Sequence, residues 1–305
     1  MARHLRVPVA ARQAILAWYA EHGRDLAFRH TNDPWAVLVS EAMAQQTQAL
    51  RAAAHWARFV DQYPTASDLA AATPADVLRA WQGLGYDRRA VALWRAAGVI
   101  ARDHGGRVPD RIEQLEALPG VGPYTARAVA AIAFGRAVGA VDVNVRRVLG
   151  RILGLADGPG LTKRVQTIAD ATVPPDRPAD WTHALMDIGA TVCRPRDPRC
   201  AACPARPWCR FAATPRATAA TNARPATKRR PAAPFPTTTR WLRGRILDRL
   251  RASPGSAWTA LDGPIGDHDL GRVHAAARAL ATDGLIDLED VPGDAGMRAR
   301  LVGYA

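Results

Sequence analysis

Leu118-Pro119-Gly120-Val121-Gly122-Pro123-Tyr124-Thr125-Ala126 is the stretch on which the reading of this chain turns. A helix ends near Leu118 and another starts near Pro123. The two glycines between them let another backbone approach closely, and the N-terminus of the following helix offers free N–H groups to an anion. That is the physics of a helix-hairpin-helix, which grips a DNA phosphate without reading sequence. An ordinary tight turn between helices fits the same residues.

Two carboxylates stand out on either side of this hairpin. Asp142, in AVGAVDVNVRRVLGR, is an acid in an apolar stretch, where it either caps the next helix or does chemistry, or both. Glu41, in WAVLVSEAMAQQTQ, is an acid on an otherwise apolar, alanine-rich helix. Solvated at a helix face it is ordinary; buried, its pKa rises and it acts as an acid near neutral pH. Its neighbours Gln45, Gln46 and Thr47 are uncharged hydrogen-bonders suited to base edges.

All four cysteines fall within one window, at Cys193, Cys200, Cys203 and Cys209. The single two-residue spacing is unlike paired zinc knuckles, yet spacing alone leaves zinc, an iron–sulfur cluster and four buried thiols open. Arg194, Arg196 and Arg199 in the same loop suggest a platform for phosphates. Lys plus Arg is 41 against 28 Asp plus Glu, a formal charge of +13 that points to a polyanionic partner. No apolar run is long enough to span a bilayer and the N-terminus lacks a signal-type core, so the expectation is a cytoplasmic protein with no membrane partner.

Residues 10–212 read as successive helices with apolar spacings of three and four, for example Trp35, Leu38, Val39, Ala42 and Met43. No convincing strand pattern occurs before residue 280. The expected organisation is a catalytic domain over 1–213, a basic Pro/Ala/Thr-rich linker over 214–240, and a small winged-helix-like domain over 241–305. In that last unit Trp241–Ala252 and His268–Asp283 read as helices, and 285–302 as a hairpin turned at Pro292-Gly293-Asp294. Arg243, Arg245, Arg249 and Arg251, with only Asp248 opposing, suggest sequence-blind DNA affinity there.

Taken together, residues 10–212 resemble the helix-hairpin-helix DNA glycosylases that carry an iron–sulfur cluster, and among them the MutY-like adenine DNA glycosylases. The hairpin, VDVNVRRVLGR, SEAMAQQTQ, Gly83-Leu84-Gly85-Tyr86 and the cysteine loop match in order and spacing. The resemblance implies an all-α, two-lobed helix-hairpin-helix fold with a [4Fe-4S] loop at 193–209, to which the winged-helix-like unit is appended. It implies a monofunctional enzyme of base excision repair that removes adenine mispaired with guanine or 8-oxoguanine from double-stranded DNA, acting as a monomer. A thymine or uracil mismatch glycosylase and a non-catalytic DNA-binding protein are the competing readings. By the same resemblance Glu41 is the general acid, Asp142 stabilises the sugar cation, Asn144 holds phosphate or water, and Tyr124 stands where related enzymes place a Schiff-base lysine. Phe28 and Arg29 fall at the pocket, Gln46 and Tyr86 at wedging positions, Gly120 and Gly122 at the phosphate-binding hairpin, and the four cysteines at the cluster ligands. Asp87 replaces a second tyrosine usual in the family, and Ala27-Phe28 stands where Pro-Trp is common.

Overall fold

A computed structural model describes residues 6–155, 158–214, 234–254, 257–291 and 296–303. Thirteen helices and three short strands lie among them. They are α1 (Val9–His22), α2 (Pro34–Ala44), α3 (Ala49–Gln62), α4 (Ala66–Ala71), α5 (Pro74–Ala80), α6 (Arg88–Asp103), α7 (Ile112–Glu116), α8 (Pro123–Ile132), α9 (Val143–Leu153), α10 (Leu161–Asp170), α11 (Pro178–Asp187), α12 (Thr239–Arg251) and α13 (Leu270–Thr282), with β1 (Thr259–Ala260), β2 (Ile286–Asp290) and β3 (Met297–Leu301). Described residues within 1–41, 110–117 and 121–227 form one compact unit, and those within 42–109, 118–120 and 228–305 form another.

In the first unit α1 turns Ala11, Ile15 and Leu16 inward, a spacing of four and one that makes a single stripe along the helix. That stripe joins a core with Leu149, Ile152, Val165, Trp181, Leu185 and Ile188. Helix α8 buries seven of its ten residues, Thr125, Ala126 and Ala128–Ile132, so it is apolar nearly all round and runs through protein. Pro123 opens it, at a position where the missing N–H costs nothing. Asp142 caps α9 by accepting from Val145 N at 2.7 Å, and Gly154 ends it in the left-handed region at φ +64°.

The second unit is assembled from well-capped helices. Thr65 and Asp68 form a reciprocal capping box on α4, and Thr73 caps α5 with Pro74 behind it. Helix α6 buries Ala90, Val91, Leu93, Ala96, Ala97 and Ile100, and Phe59 meets the Trp81 ring edge-on at 5.7 Å between centroids. The same unit contains the C-terminal elements. Helices α12 and α13 pack on each other, and a three-stranded antiparallel sheet of order β1-β3-β2 closes their apolar side, pairing Ile286 with Leu301 and Leu288 with Ala299.

The C-terminal helices fall within two residues of their expected ends, and β2–β3 is the expected hairpin. Strand β1, only two residues long, precedes residue 280 and is too short to leave an alternating pattern in the sequence. The turn expected at Pro292-Gly293-Asp294 and residues 215–233 of the expected linker lie outside the described residues. Of Arg243, Arg245, Arg249 and Arg251 on α12, Arg245 and Arg249 are exposed, while three of the four are ion-paired. Arg243 pairs with Asp283, Arg245 with Asp248, and Arg251 with Asp87 and Asp248. Among the described residues no helix is long and apolar enough to cross a membrane.

Candidate active site

Glu41, Tyr124, Asp142 and Arg29 meet in the first unit, delivered by α2, the first turn of α8, the cap of α9 and the short 3-10 turn Ala27–Arg29. Around Glu41, α2 buries Leu38, Val39, Ser40 and Met43. The Glu41 carboxyl is pushed up to about 7, first by desolvation and then by the nearby Asp142 charge, while a hydrogen bond from Tyr124 and the Arg29 charge pull the other way. The Tyr124 hydroxyl lies within hydrogen-bonding reach of Glu41 and also 3.7 Å from Met186 Sδ, and burial with the two carboxylate charges holds its proton far more tightly than in free tyrosine.

Arg29 is anchored from behind. Its two terminal nitrogens donate to the two oxygens of Asp187 at 2.7 Å each, a fork-to-fork pair. Asp187 also accepts from Arg24 N at 2.8 Å and Arg24 Nε at 2.7 Å. Its side chain is fully buried, and burial alone would raise its pKa, but the bonds and charge of Arg29, with Arg24, hold it below the usual carboxylate value. His183 nearby is held neutral, down to about 3, by burial and the Arg29 charge. Arg29 Nε is buried and has no hydrogen-bond partner among the described residues.

Asp142 uses one oxygen as a helix cap and accepts with the other from Asn144 Nδ2 at 2.7 Å. Asn144 Oδ1 in turn accepts from Arg147 at 2.8 Å. Arg147 also donates to the carbonyls of Gly189 and Cys193, at 2.6 and 2.7 Å. These carbonyls are presented by a widened turn at Ile188–Val192, which closes with Cys193 N on Ile188 O. A Cβ on Gly189 would lie 2.6 Å from Asn144 Cβ, so glycine is what lets this turn approach α9.

The four cysteines line one pocket, with Val148, Ile152, Ile188 and Val192 supplying an apolar wall. Arg151 reaches Cys193 Sγ at 3.4 Å and the Arg194 carbonyl at 2.8 Å, and its guanidinium lies 4.6 Å over the Phe211 ring. Among the described residues no three His, Cys, Asp or Glu side chains converge closely enough to hold a single metal ion. Four thiols lining one apolar-walled pocket are a donor set of the kind that holds an iron–sulfur cluster. Arg196 and Arg199 are exposed on the loop, and Arg194 is tied to Asp197 at 2.9 Å.

Gln45, Gln46, Thr47 and Tyr86 belong to the second unit, where one side chain organises them. Arg89 donates to the carbonyls of Ala42, Met43 and Gln45, to Thr47 Oγ1 at 3.0 Å, and to the carbonyls of Leu84 and Gly85. Gln46 at φ +55° and Tyr86 at φ +50° are both in the left-handed region, which costs a non-glycine residue about 1–2 kcal/mol. Arg89 therefore stitches together the two strained turns that carry them. In the hairpin, Gly120 sits at φ +77° with its missing Cβ 2.7 Å from Ala92 Cβ, whereas a Cβ on Gly122 would meet nothing within 4 Å. Phe28 precedes Arg29 in the same 3-10 turn and is half-buried.

Sequence reading missed Asp187, Arg24, Arg89, Arg147 and Arg151. Asp187 carries the signal that exposed Glu41, an acid ending the largely apolar helix segment WTHALMD, and Arg147 and Arg151 lie one turn apart on the helix that Asp142 caps.

A helix-hairpin-helix set beside a proton-holding glutamate and a second carboxylate defines a class, and residues 39–174 match it as HhH-GPD superfamily base excision DNA repair protein. The adenine DNA glycosylase of Mycolicibacterium smegmatis is 41% identical over 278 residues, covering 90% of this chain and 91% of that protein. That of Mycobacterium tuberculosis is 47% identical over 245 residues, 78% of each. The human adenine DNA glycosylase is 40% identical over 213 residues, 66% of this chain and 39% of its own. The chain belongs to the adenine DNA glycosylase family within the HhH-GPD superfamily. A solved thermostable thymine-DNA glycosylase is similar in structure, with a TM-score of 0.61 and 30% identity over 66% of this chain and 94% of that one. An endonuclease III in a non-covalent DNA complex shares the fold, with a TM-score of 0.57 at 22% identity over 66% and 93% of the two chains.

Proposed function

We propose that this chain is a monofunctional adenine DNA glycosylase of base excision repair, acting as a monomer in the cytoplasm on double-stranded DNA and removing adenine mispaired with guanine or 8-oxoguanine. The observation that carries the reading is Glu41, held at a pKa of about 7 beside Tyr124 and Asp142. Such a carboxyl is protonated in much of the population at neutral pH and is a competent general acid.

The extruded adenine receives the Glu41 proton at N7 as the bond from N9 to the sugar C1′ breaks. Asp142, fixed by Val145 N and Asn144, keeps a negative charge facing the developing sugar cation. Water then attacks C1′ and gives its proton to the Glu41 carboxylate, restoring the acid. Arg29 Nε is a buried donor available to a base edge, held in place by Asp187. Tyr124 supplies no amine and the chain has only two lysines, Lys163 and Lys228, so no Schiff base starts strand cleavage.

Gly120, Gly122 and the N-terminus of α8 receive a DNA phosphate, with Arg194, Arg196 and Arg199 as further sequence-blind contacts. Gln45, Gln46, Thr47 and Tyr86 probe the stack beside the extruded base, and Phe28 lines the pocket. Cys193, Cys200, Cys203 and Cys209 would hold a [4Fe-4S] cluster, whose contribution is to stiffen the arginine-bearing loop.

Single-turnover base release from duplexes containing A:8-oxoG, A:G, T:G and U:G tests the assignment. Release from the first two alone is expected, and Glu41→Gln should bind them without release. Release from T:G or U:G without adenine release would favour the thymine or uracil reading, and no release from any duplex by protein that still binds them would mean a non-catalytic role.

A further inference from the structure

The turn that presents Tyr86 is held from two directions. Arg89 lies beneath it on its own lobe, 5.4 Å from the Tyr86 ring centroid. The C-terminal elements reach the same turn from outside. The Arg240 guanidinium, at the start of α12, lies 4.4 Å from the Tyr86 ring centroid. Arg251, at the other end of α12, donates to the Asp87 carboxylate, to Asp248 at 3.1 Å and to the Leu78 carbonyl at 3.0 Å. Its side chain is 6% exposed and that of Asp87 is 13% exposed, so this is a buried ion pair.

Asp87 stands at the N-terminus of α6, where an aspartate ordinarily caps a backbone amide. Here it makes no capping bond, and its carboxylate is given to Arg251 instead. One residue further, Arg88 pairs with Asp283 at 3.4 Å, and Asp283 also takes Arg243. Residues 234–305 carry nine arginines against nine aspartates and glutamates, and among the described residues most of these are ion-paired with one another. With its charges balanced and mostly paired, the bulk of this unit is engaged with protein, which leaves Arg240 and Arg251 to be explained by what they touch.

We infer that the C-terminal unit is a brace for the Tyr86 turn, with Arg251, Asp87 and Arg240 as positioning residues that set how firmly Tyr86 enters a DNA stack. This rests on the reading of Tyr86 as a stack-probing residue. A left-handed tyrosine on a surface turn relaxes readily unless its surroundings over-determine it. Arg251 fixes the residue after Tyr86, Arg240 fixes its ring, and Arg89 fixes the carbonyl before it. Asp87, where the family usually has tyrosine, is thus the receptor for this chain's own C-terminal unit.

The test uses full-length chains carrying Asp87→Asn, Arg251→Lys or Arg240→Ala. In DNA-free protein, amide exchange of residues 84–90 should quicken about tenfold in Asp87→Asn and Arg251→Lys, with other helices of the lobe unchanged. In a second arm, 2-aminopurine placed beside the mismatched adenine reports unstacking. Arg240→Ala should cut the fluorescence gain by about half, with affinity for matched duplex changed less than about twofold because a brace makes no phosphate contact. Unchanged exchange at 84–90 would overturn the brace, and so would equal weakening of matched and mismatched binding by Arg240→Ala. The exchange arm needs no DNA, so it stands even if the wild-type chain releases no adenine.

Discussion

Glu41 has to keep a proton at a pH where free glutamate has lost it. Its pKa of about 7 lies above the ordinary 4.5, so the folded chain holds a proton that the unfolded chain releases. The stabilisation from that proton is complete below pH 4.5 and is lost as pH rises through about 7, a total of about 3–4 kcal/mol by linkage. Glu41→Gln removes the dependence. The variant should therefore gain in urea midpoint over wild type as pH goes from 5 to 8, with little difference at pH 4.5. The single-turnover rate of the wild type should fall above pH 7 with a one-proton slope; a rate flat to pH 9 would remove Glu41 as the acid. Asp187 makes the opposite demand, an ionised carboxylate with no exposed surface and four donors from Arg24 and Arg29. Asp187→Asn leaves two cations facing a neutral amide and should cost about 3–5 kcal/mol. Urea unfolding at pH 7 measures it, and a loss below about 1 kcal/mol would show that Arg29 does not depend on this anchor. Glu41 was legible in the sequence because an acid on an apolar helix is conspicuous. Asp187 carries the same mark but lies 158 positions from Arg29, and nothing local in sequence announces a partner that distant.

At the scale of elements, the hairpin offers a matched pair of glycines with different reasons for being glycine. Gly120 is in the left-handed region and against Ala92, whereas Gly122 has ordinary φ and open space. Gly120→Ala should cost about 1–3 kcal/mol of stability from backbone strain and the close contact. Gly122→Ala should leave stability unchanged and weaken duplex affinity, because its only neighbour would be an incoming phosphate. Equal affinity of the Gly122 variant and wild type, in a filter-binding titration, would refute the phosphate role. The hairpin was readable because its glycines and Pro123 are the residues that punctuate a tight turn and a helix start. The widened turn at Ile188–Val192 was not, since its sequence IGATV continues a helical pattern and its close approach to Asn144 is a tertiary contact. The ion pairs of α12 were hidden for a related reason. Charge along a helix is visible in sequence, but its neutralisation by Asp87 and Asp283 from other elements is not.

For the whole molecule, the cysteine loop and the absent amine give two linked expectations. Anaerobically purified protein should contain about four irons per chain, the content of a [4Fe-4S] cluster. One zinc and no iron would overturn the cluster assignment. Borohydride trapping with substrate DNA should yield little covalent adduct, since Tyr124 cannot form an imine; abundant adduct in wild type would implicate Lys163 or Lys228. The chain order within the first unit carries a further consequence, for biosynthesis. Helix α1 finds its main partner in α11, and the Arg24 bonds to Asp187 span 163 positions. At about 5–20 residues per second, the ribosome delivers that partner roughly 8–33 s after Arg24 has been made. Through that interval Ile15, Leu16 and the rest of the α1 stripe have emerged without their native cover. The second unit waits as well, because α5 gains α12 only near the end of translation. The α1 stripe is therefore exposed longest during synthesis, and slowed elongation between residues 41 and 187 should lower the soluble yield more than slowing beyond residue 251.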